Sequence, residues 1–358
     1  MRLLTGFPGF LGTEFIDRIL RKTDAQFLCL VQAKFLNLAH LKLEELEKRN
    51  PGAKNRIQLI EGDITVSGLQ ITNPSLLAEV DQVYHFAAVY DLNVSESLGK
   101  LINVDGTRNV LDLLPTLPHL KHFHYVSTCY VSGRSSGRFL ETDLIKGQSF
   151  NNFYESTKYE AELLVRERMN SGLPATIYRP SIVVGDSRTG ETQKYDGPYF
   201  VVQWLLRQGK YAVLPQLGDP TQYSINLVPS NFVIDAMAYL SEKPESIGRT
   251  FQLADPSPLT IAEVVQTLAK ACGKRLIEIP LPKGLAKFAV GKIPGLENWL
   301  GIPRSSLDYF VHPTEYDVSV TTEQLEGSGL QCPNFASYAE TLVQYMKSNP
   351  EVRNKALT

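Results

Sequence analysis

Tyr154-Glu-Ser-Thr-Lys158 is the segment of this sequence whose residue types and spacing could most plainly move a proton. It opens a stretch with helical spacing that continues through Ala161, Leu163, Leu164 and Val165. Residues four apart share one face of such a helix, so Tyr154 and Lys158 are neighbours. A phenol ionises at about pH 10, too high for efficient proton transfer near neutrality. A lysine ammonium one turn away favours the phenolate and is expected to lower that pKa. Taken alone, the pair reads as an exposed i,i+4 contact. Ser127-Thr128 changes the balance, because it places hydroxyls about 26 residues upstream at the carboxyl end of a strand-like run. A donor there would polarise a carbonyl, and the chemistry of the set is proton transfer at a carbonyl oxygen.

A second constellation lies at the start of the chain. Thr5-Gly-Phe-Pro-Gly-Phe-Leu-Gly12 sits between a short apolar run and a stretch of helical spacing. Gly6 permits a sharp turn, Gly9 lets backbone approach a pyrophosphate, and Gly12 lets the helix pack closely on a sheet. Phe10 and Leu11 stand where a helix N-terminus offers amide donors and positive potential. The strand before and the helix after are the context a dinucleotide-binding glycine motif requires. About 20 residues past Gly12 the second strand ends at Val31-Gln32. NAD-specific sites carry Asp or Glu there to hold the ribose hydroxyls. Gln32, with Lys34 two residues on, would tolerate a 2′-phosphate, so NADP(H) is expected over NAD(H). The alternative for Lys34 is a solvated surface lysine.

The elements that must position these residues follow an alternating pattern. Strand-like runs at Met1–Thr5, Gln26–Gln32, Arg56–Glu61, Gln82–Ala87 and His122–Ser127 are separated by helical stretches, including Phe10–Lys22 and Leu38–Arg49. The last two strands are each expected to follow a helix. This rhythm predicts an α/β fold, a Rossmann-type doubly wound parallel sheet, with ligands beyond the carboxyl ends of its strands. Residues 1–184 form the expected dinucleotide-binding domain, with the chain returning to it at about 223–254. Residues 185–222 and 255–358 form the expected smaller C-terminal substrate lobe. Within that lobe Gly185–Gly197 is polar and turn-rich, as a flap would be, and Phe200–Arg207 and Asn231–Leu240 have helical spacing. Thr250–Leu253 reads as a returning strand, and Thr260-Ile-Ala-Glu263 as a capping box opening a helix to Ala271. Pro280–Pro303 is rich in Pro, Gly, Leu, Phe and Trp and reads as ordinary packing of the lobe, ahead of a substrate lid or a membrane-surface contact.

Composition excludes several classes. A net charge of −2 argues against electrostatic capture of nucleic acid. No apolar run reaches the roughly 18 residues of a membrane span, and glycines and a proline interrupt the N-terminus before a signal peptide's apolar core could form. Cys29, Cys129, Cys272 and Cys332 form no CxxC pair and read as reduced thiols of a cytoplasmic protein. His122 and His124 lie two apart and share a strand face, but no third ligand accompanies them and no metal site is expected.

Taken together the motifs resemble the extended short-chain dehydrogenase/reductases. Gly6/Gly9/Gly12, Gly62-Asp63-Ile64, His85-Phe-Ala-Ala88, Asn103-Val-Asp-Gly-Thr107, Tyr125-Val-Ser-Thr128, Tyr154-x-x-x-Lys158 and Arg179-Pro180-Ser181 occur in that family's order across the first half of the chain. The resemblance implies that Asp63 and Ile64 lie by the adenine, and that Ala87, Ala88, Pro180 and Ser181 line the cofactor. It makes Tyr154 the general acid/base and Lys158 its partner and a ribose ligand. Counting back from Gly133 selects Thr128 over Ser127 as the catalytic hydroxyl. Asn103 matches an asparagine that binds a proton-relay water in relatives, and a helix cap is the other reading. Thr128, the stretch Arg179-Pro-Ser-Ile-Val-Val-Gly-Asp186 and Leu227-Val-Pro-Ser-Asn-Phe-Val-Ile-Asp-Ala236 resemble the thioester-reductase and fatty acyl reductase branch, the male sterility type. Many members of that branch have Arg where this chain has Gln32.

The expectation is an NADP(H)-dependent reductase that transfers hydride to a carbonyl or acyl thioester of an apolar small-molecule substrate, on CoA or a separate carrier. A nucleotide-sugar epimerase or dehydratase with bound NAD is the alternative on the same fold, with Arg188, Arg207 and Lys210 as candidate diphosphate ligands. A nonenzymatic NADP(H) sensor that binds a partner protein is the third reading. By analogy with relatives a homodimer is expected.

Overall fold

The computed structural model describes residues 1–217, 219–281, 309 and 312–352. Pro280–Pro303, read above as packing of the second lobe, lies almost wholly outside the described residues.

The chain opens with β1 (Arg2–Thr5), α1 (Phe10–Lys22), β2 (Phe27–Val31), α2 (Leu36–Arg49), β3 (Ile57–Glu61) and β4 (Gln82–His85). Helix α3 (Glu96–Gly99) runs through a π-turn at Lys100–Asp105 into α4 (Gly106–Leu113), followed by β5 (His122–Val126) and β6 (Gly137–Phe139). Next come α5 (Phe153–Asn170), β7 (Ala175–Pro180), β8 (Ile182–Val184), α6 (Pro198–Leu206), β9 (Tyr211–Leu217) and β10 (Leu227–Pro229). Then follow α7 (Ser230–Ser241), β11 (Thr250–Leu253), α8 (Ile261–Ala271), β12 (Arg275–Leu281) and β13 (Thr314–Tyr316). Two further helices, Ser319–Leu325 and Ala339–Ser348, end the described chain.

Seven strands make one parallel sheet in the order β11-β7-β5-β4-β1-β2-β3. Every residue of β1 and β2 is buried, as both-face coverage of a parallel sheet requires. Edge strand β3 buries Ile57 and Ile60 but exposes Gln58 and Glu61. Helices α1 and α7 pack on one face through Phe15, Ile16, Ile19, Phe232 and Met237. The other face is covered by α4 and α5 through Val110, Leu111, Ala161 and Val165. Sequential strands turn outward in opposite directions from β1, so β1 and β4 flank the topological switch point where such sheets bind ligands.

Sequence and structure agree closely where periodicity is strong. Helix Phe10–Lys22 and strand Thr250–Leu253 have the expected bounds, and Thr260 and Glu263 form a reciprocal capping box. One expectation fails. No α-helix precedes β4, which follows two 3-10 turns at Ser67–Gln70 and Pro74–Leu77. Gly68 and Leu69 adopt positive φ there, and Asn73 caps the second turn at once, so the segment never propagates a helix. Three two-stranded parallel pairings, β8 with β10, β9 with β12 and β6 with β13, were not legible in the sequence.

A separate apolar core lies outside the sheet. It joins Val202 and Leu205 of α6, Val265 and Leu268 of α8, and Leu342 and Val343 of the last helix. His122 and His124 do share a face, with ring centroids 3.8 Å apart, and they bond Thr176 and the Tyr178 hydroxyl. Burial lowers both, His122 to about 4, so they are neutral packing groups. All four cysteines are free thiols. Among the described residues no helix is long and apolar enough to cross a membrane.

Candidate active site

The loop from β1 into α1 approaches the end of β4 closely enough to demand its glycines. Gly6 has φ +99°, and a Cβ there would stand 2.7 Å from the Ala87 nitrogen. A Cβ on Gly9 would meet the Gly6 carbonyl oxygen at 2.8 Å, and the Gly9 amide donates to that oxygen at 2.9 Å. The glycine at position 9 is therefore required by the loop's own turn, beside any role in admitting a pyrophosphate. A Cβ on Gly12 would likewise crowd that carbonyl, at 3.0 Å, ahead of the Leu4 side chain of the sheet. What the loop leaves open is the N-terminus of α1, where Gly9, Phe10, Leu11 and Gly12 border the central cavity.

Helix α5 explains why its pattern reads poorly as amphipathic. Its buried residues are Tyr154, Glu155, Thr157, Lys158, Ala161, Glu162 and Val165, so five polar side chains occupy core positions. Asn152 caps it, accepting from the Glu155 amide at 3.0 Å. The Lys158 ammonium donates to the Tyr125 hydroxyl at 2.9 Å and the Val126 carbonyl at 2.8 Å. Burial lowers the Lys158 pKa to about 7, against the opposing pull of Glu162. The Tyr154 phenol lies within hydrogen-bonding reach of the Thr128 hydroxyl. Burial raises the Tyr154 pKa, and the Thr128 contact only partly offsets it. This corrects the expectation that Lys158 pulls the phenol down: the ammonium is engaged by β5, and loss of solvent dominates at Tyr154.

Lys158 is anchored through a chain of neutral groups. Thr5, His85 and Tyr125 occupy one register row across β1, β4 and β5. The Thr5 hydroxyl is 2.7 Å from His85 Nδ1, and His85 Nε2 is 3.1 Å from the Thr107 hydroxyl. Thr107 also bonds the Tyr125 hydroxyl. Burial, then the charge of Lys158, lowers His85 to about 3 and keeps the relay uncharged.

Ser127 and Thr128 face different partners. Ser127 Oγ donates to Glu162 at 2.6 Å, within a buried network in which Arg179 makes three bonds that reach both Glu162 oxygens and Arg166 adds a fourth cation-side bond at 3.0 Å. Burial opposes ionisation of Glu162, but Arg179, Arg166 and Ser127 outweigh it and hold the carboxyl below its usual range. Thr128 accepts from the Tyr130 amide at 3.2 Å and caps the 3-10 turn Cys129–Ser132. Asn103 lies inside the π-turn, where its side-chain oxygen accepts from the Val89 amide at 2.9 Å and its amide donates to Thr157 at 3.0 Å. It is not a helix cap. It ties the loop after β4 to α5 beside Lys158.

These groups surround a cavity of about 820 Å³. Gly6, Ile64, Ala87, Ala88, Ser127, Thr128, Tyr154, Lys158, Pro180 and Ser181 all line it, as do Gln32 and Lys34. Asn103 and Asp63 stand behind the wall. Burial works against the Asp63 charge, yet bonds from Thr65 and Gln32 and the nearby Lys34 keep its pKa low. The Gln32 amide is thus partly engaged with Asp63. Sequence reasoning missed Lys42, which lines the cavity from α2, and Tyr90, Tyr130, Lys194, Asp196 and Tyr309, which line its catalytic end. Tyr90 packs edge-on to Tyr154 at 5.1 Å and bonds Asp196, which pairs with Lys194 at 3.1 Å. Tyr90, Lys194 and Asp196 lie in loops with no periodic signal. Arg188, Arg207 and Lys210 do not line the cavity, and Arg188 is paired with Asp186 at 2.9 Å. A further branch is apolar, walled by Val184, Val201, Ile225, Ile261, Val264 and Leu268. Among the described residues no cluster of three or more His, Cys, Asp or Glu could hold a metal.

Comparison with known proteins agrees with this geometry. The family model of the NAD-binding male sterility protein matches residues 4–237. The chain is 30% identical to the nonribosomal peptide synthetase asaC of Aspergillus flavus over 71% of its length, and 27% identical to the fatty acyl-CoA reductase wat of Drosophila melanogaster over 65%. It spans 26% of the first relative and 52% of the second. The terminal R domain of the myxalamid PKS-NRPS biosynthetic pathway superimposes with a TM-score of 0.82 at 29% identity, covering 97% of this chain and 90% of that one. A UDP-glucuronic acid 4-epimerase from Bacillus cereus, at 20% identity and a TM-score of 0.69, shares the fold alone. The chain belongs to the male sterility protein family, the thioester-reductase and fatty acyl reductase branch of the extended short-chain dehydrogenase/reductases, and is an oxidoreductase with an NAD(P)-binding domain.

Proposed function

We propose that this chain is an NADPH-dependent reductase of acyl thioesters, and of the corresponding aldehydes, carrying an apolar acyl group. One observation supports the reading above others: Thr128, Tyr154 and Lys158 converge in a cavity that also has a glycine-built cradle and an apolar branch. The cradle formed by Gly6, Gly9 and Gly12 has no room for side chains and fits a dinucleotide diphosphate at the N-terminus of α1. Gln32, Lys34 and Lys42 border the same cavity, and two ammonium groups there suit a ribose 2′-phosphate. Residues 185–222 and 255–358 we read as the substrate lobe, since the apolar wall of the cavity comes largely from α6 and α8.

When bound, the nicotinamide supplies a hydride to the carbonyl carbon. Thr128 donates a hydrogen bond to the carbonyl oxygen, and Tyr154 delivers the proton that oxygen needs as negative charge develops. With a thioester the product of this step is a hemithioacetal. Its C–S bond then breaks, the thiol leaves with a proton, and an aldehyde remains. Lys158, held by Tyr125 and Val126, fixes a positive charge one helix turn from Tyr154 and can hydrogen-bond ribose hydroxyls.

The test is NADPH and NADH binding by fluorescence titration, followed by oxidation with aliphatic acyl thioesters and aldehydes. Tight NADPH binding with substrate-dependent oxidation is expected. Tyr154→Phe should abolish turnover and leave binding intact; retained turnover would overturn the assignment.

A further inference from the structure

Tyr309 reaches the catalytic helix from 154 residues beyond Glu155. It is 7% exposed, and its hydroxyl stands between two residues of the first turn of α5. The Asn152 side-chain oxygen accepts from the Glu155 amide as the helix cap, so its nitrogen is the end that faces Tyr309, donating at 3.1 Å. Asn152 thus presents a donor and Glu155 an acceptor, and the single proton of the Tyr309 hydroxyl goes to Glu155 at 2.8 Å. Glu155 has no exposed surface and also accepts from the Asn151 amide at 2.8 Å and the Asn151 side chain at 3.1 Å. The hydroxyl therefore closes a ring from the cap to the third residue of the helix. Tyr154, the second residue, lies within that ring.

The Tyr309 ring makes a separate connection. It meets Tyr130 edge to face with centroids 4.9 Å apart, and Tyr130 is also buried. The Tyr130 amide donates to the Thr128 hydroxyl at 3.2 Å, so the ring bears on the turn that carries the other reacting hydroxyl. One side chain thus touches both elements that bring Tyr154 and Thr128 within hydrogen-bonding reach of each other, α5 and the turn after β5. Lys158 ties α5 to β5 as well, but one helical turn further on. The start of the helix, where Tyr154 sits, is held from the C-terminal side of the chain.

We propose that Tyr309 is a positioning residue, a brace that sets the separation and aim of the Tyr154 and Thr128 hydroxyls. This rests on the reductase reading above. Tyr309 acts through Asn152, Glu155 and Tyr130 rather than on the carbonyl. Steady-state NADPH oxidation with a long-chain aldehyde tests it. Tyr309→Phe keeps the ring on Tyr130 and removes the hydroxyl. It should lower kcat about tenfold and leave aldehyde KM and the NADPH dissociation constant within about twofold, because misplaced reacting groups slow chemistry without weakening binding. Tyr309→Leu loses the ring as well and should lower kcat roughly a hundredfold. Glu155→Ala should resemble Tyr309→Phe, and the double variant should be little slower than the slower single one, since both remove one link. Tyr316→Phe is the control. Tyr316 lies 6.1 Å from Tyr130, but its hydroxyl bonds Ser132 and His312, so kcat should stay within about twofold. Unchanged kcat in Tyr309→Phe, a loss carried by KM alone, additive losses in the double variant, or an equal loss in Tyr316→Phe would overturn the inference. If the parent turns over neither aldehyde nor thioester, the reductase reading fails, and amide hydrogen exchange decides the brace separately. Faster exchange at residues 155–157 in Tyr309→Phe, with residues 161–170 unchanged, would sustain it, and equal rates would remove it.

Discussion

Ser127 and Thr128 are adjacent hydroxyls at the end of one strand, and the structure separates their tasks in a way a pair of substitutions can measure. Ser127 Oγ donates at 2.6 Å to a Glu162 carboxylate with no exposed surface. A hydrogen bond to a charged buried group contributes about 1.5–3 kcal/mol. Ser127→Ala should therefore lower the unfolding free energy by about that amount in urea, while kcat stays within about threefold of the parent. Thr128→Val keeps the shape of the side chain and removes its hydroxyl. Loss of the cap on the Tyr130 amide should cost about 1 kcal/mol of stability. Loss of the donor that polarises the carbonyl should cost roughly 10²–10³ in kcat, the scale of one removed oxyanion donor. Thr128→Ser should recover most of that rate. NADPH oxidation with a long-chain aldehyde gives the rates, and urea titration gives the stabilities. The opposite pattern, with Ser127→Ala inactive but stable and Thr128→Val active, would refute the assignment of roles.

Three more outcomes follow from the same geometry. Glu162→Gln leaves the buried Arg179 guanidinium without its counter-charge and should cost about 3–5 kcal/mol of stability. Because the Glu162 pKa is depressed on folding, the parent's advantage over Glu162→Gln should be full above the unfolded carboxyl value and shrink as pH falls below it; a pH-independent difference would contradict this. Lys158 is lowered to about 7, so between there and the value of free lysine the unfolded chain binds more protons and this residue makes stability rise with pH. Lys158→Met should flatten that slope by at most about 1.4 kcal/mol per pH unit, read from urea melts across the range. Finally, Lys34→Ala with Lys42→Ala should raise the NADPH dissociation constant about tenfold or more, a loss of roughly 1.4 kcal/mol, and leave NADH binding within twofold; parallel losses would show that neither lysine reads the 2′-phosphate.

What the sequence revealed depended on how locally each feature is encoded. The glycine loop, the helix that follows it and the capping box at Thr260 are short-range patterns, and their bounds were legible. The paired β9 and β12 join residues some sixty positions apart, and no period announces such a pairing. At the candidate site, Tyr154 and Lys158 could be placed on one helix face, but their electrostatics could not. Proximity suggested that the lysine tunes the phenol. Only the packed structure shows the ammonium turned to Tyr125 and Val126, and burial prevailing at Tyr154. Asp196 reaches the cavity from a loop, where position is set by tertiary packing alone.

The separate core beside the sheet also bears on how the chain acquires its shape during synthesis. All seven strands of the parallel sheet have been made once Leu253 emerges from the ribosome. The core that walls the apolar branch is assembled from α6 and α8 together with Leu342, Val343 and Met346 of the last helix. From the completion of α8 at Ala271 to the synthesis of Leu342, about seventy residues of translation, the nascent chain holds a sheet able to form while α6 and α8 lack their final cover. The apolar residues destined for the substrate branch are then exposed together, and this interval is where a folding helper or an early ligand would have most effect.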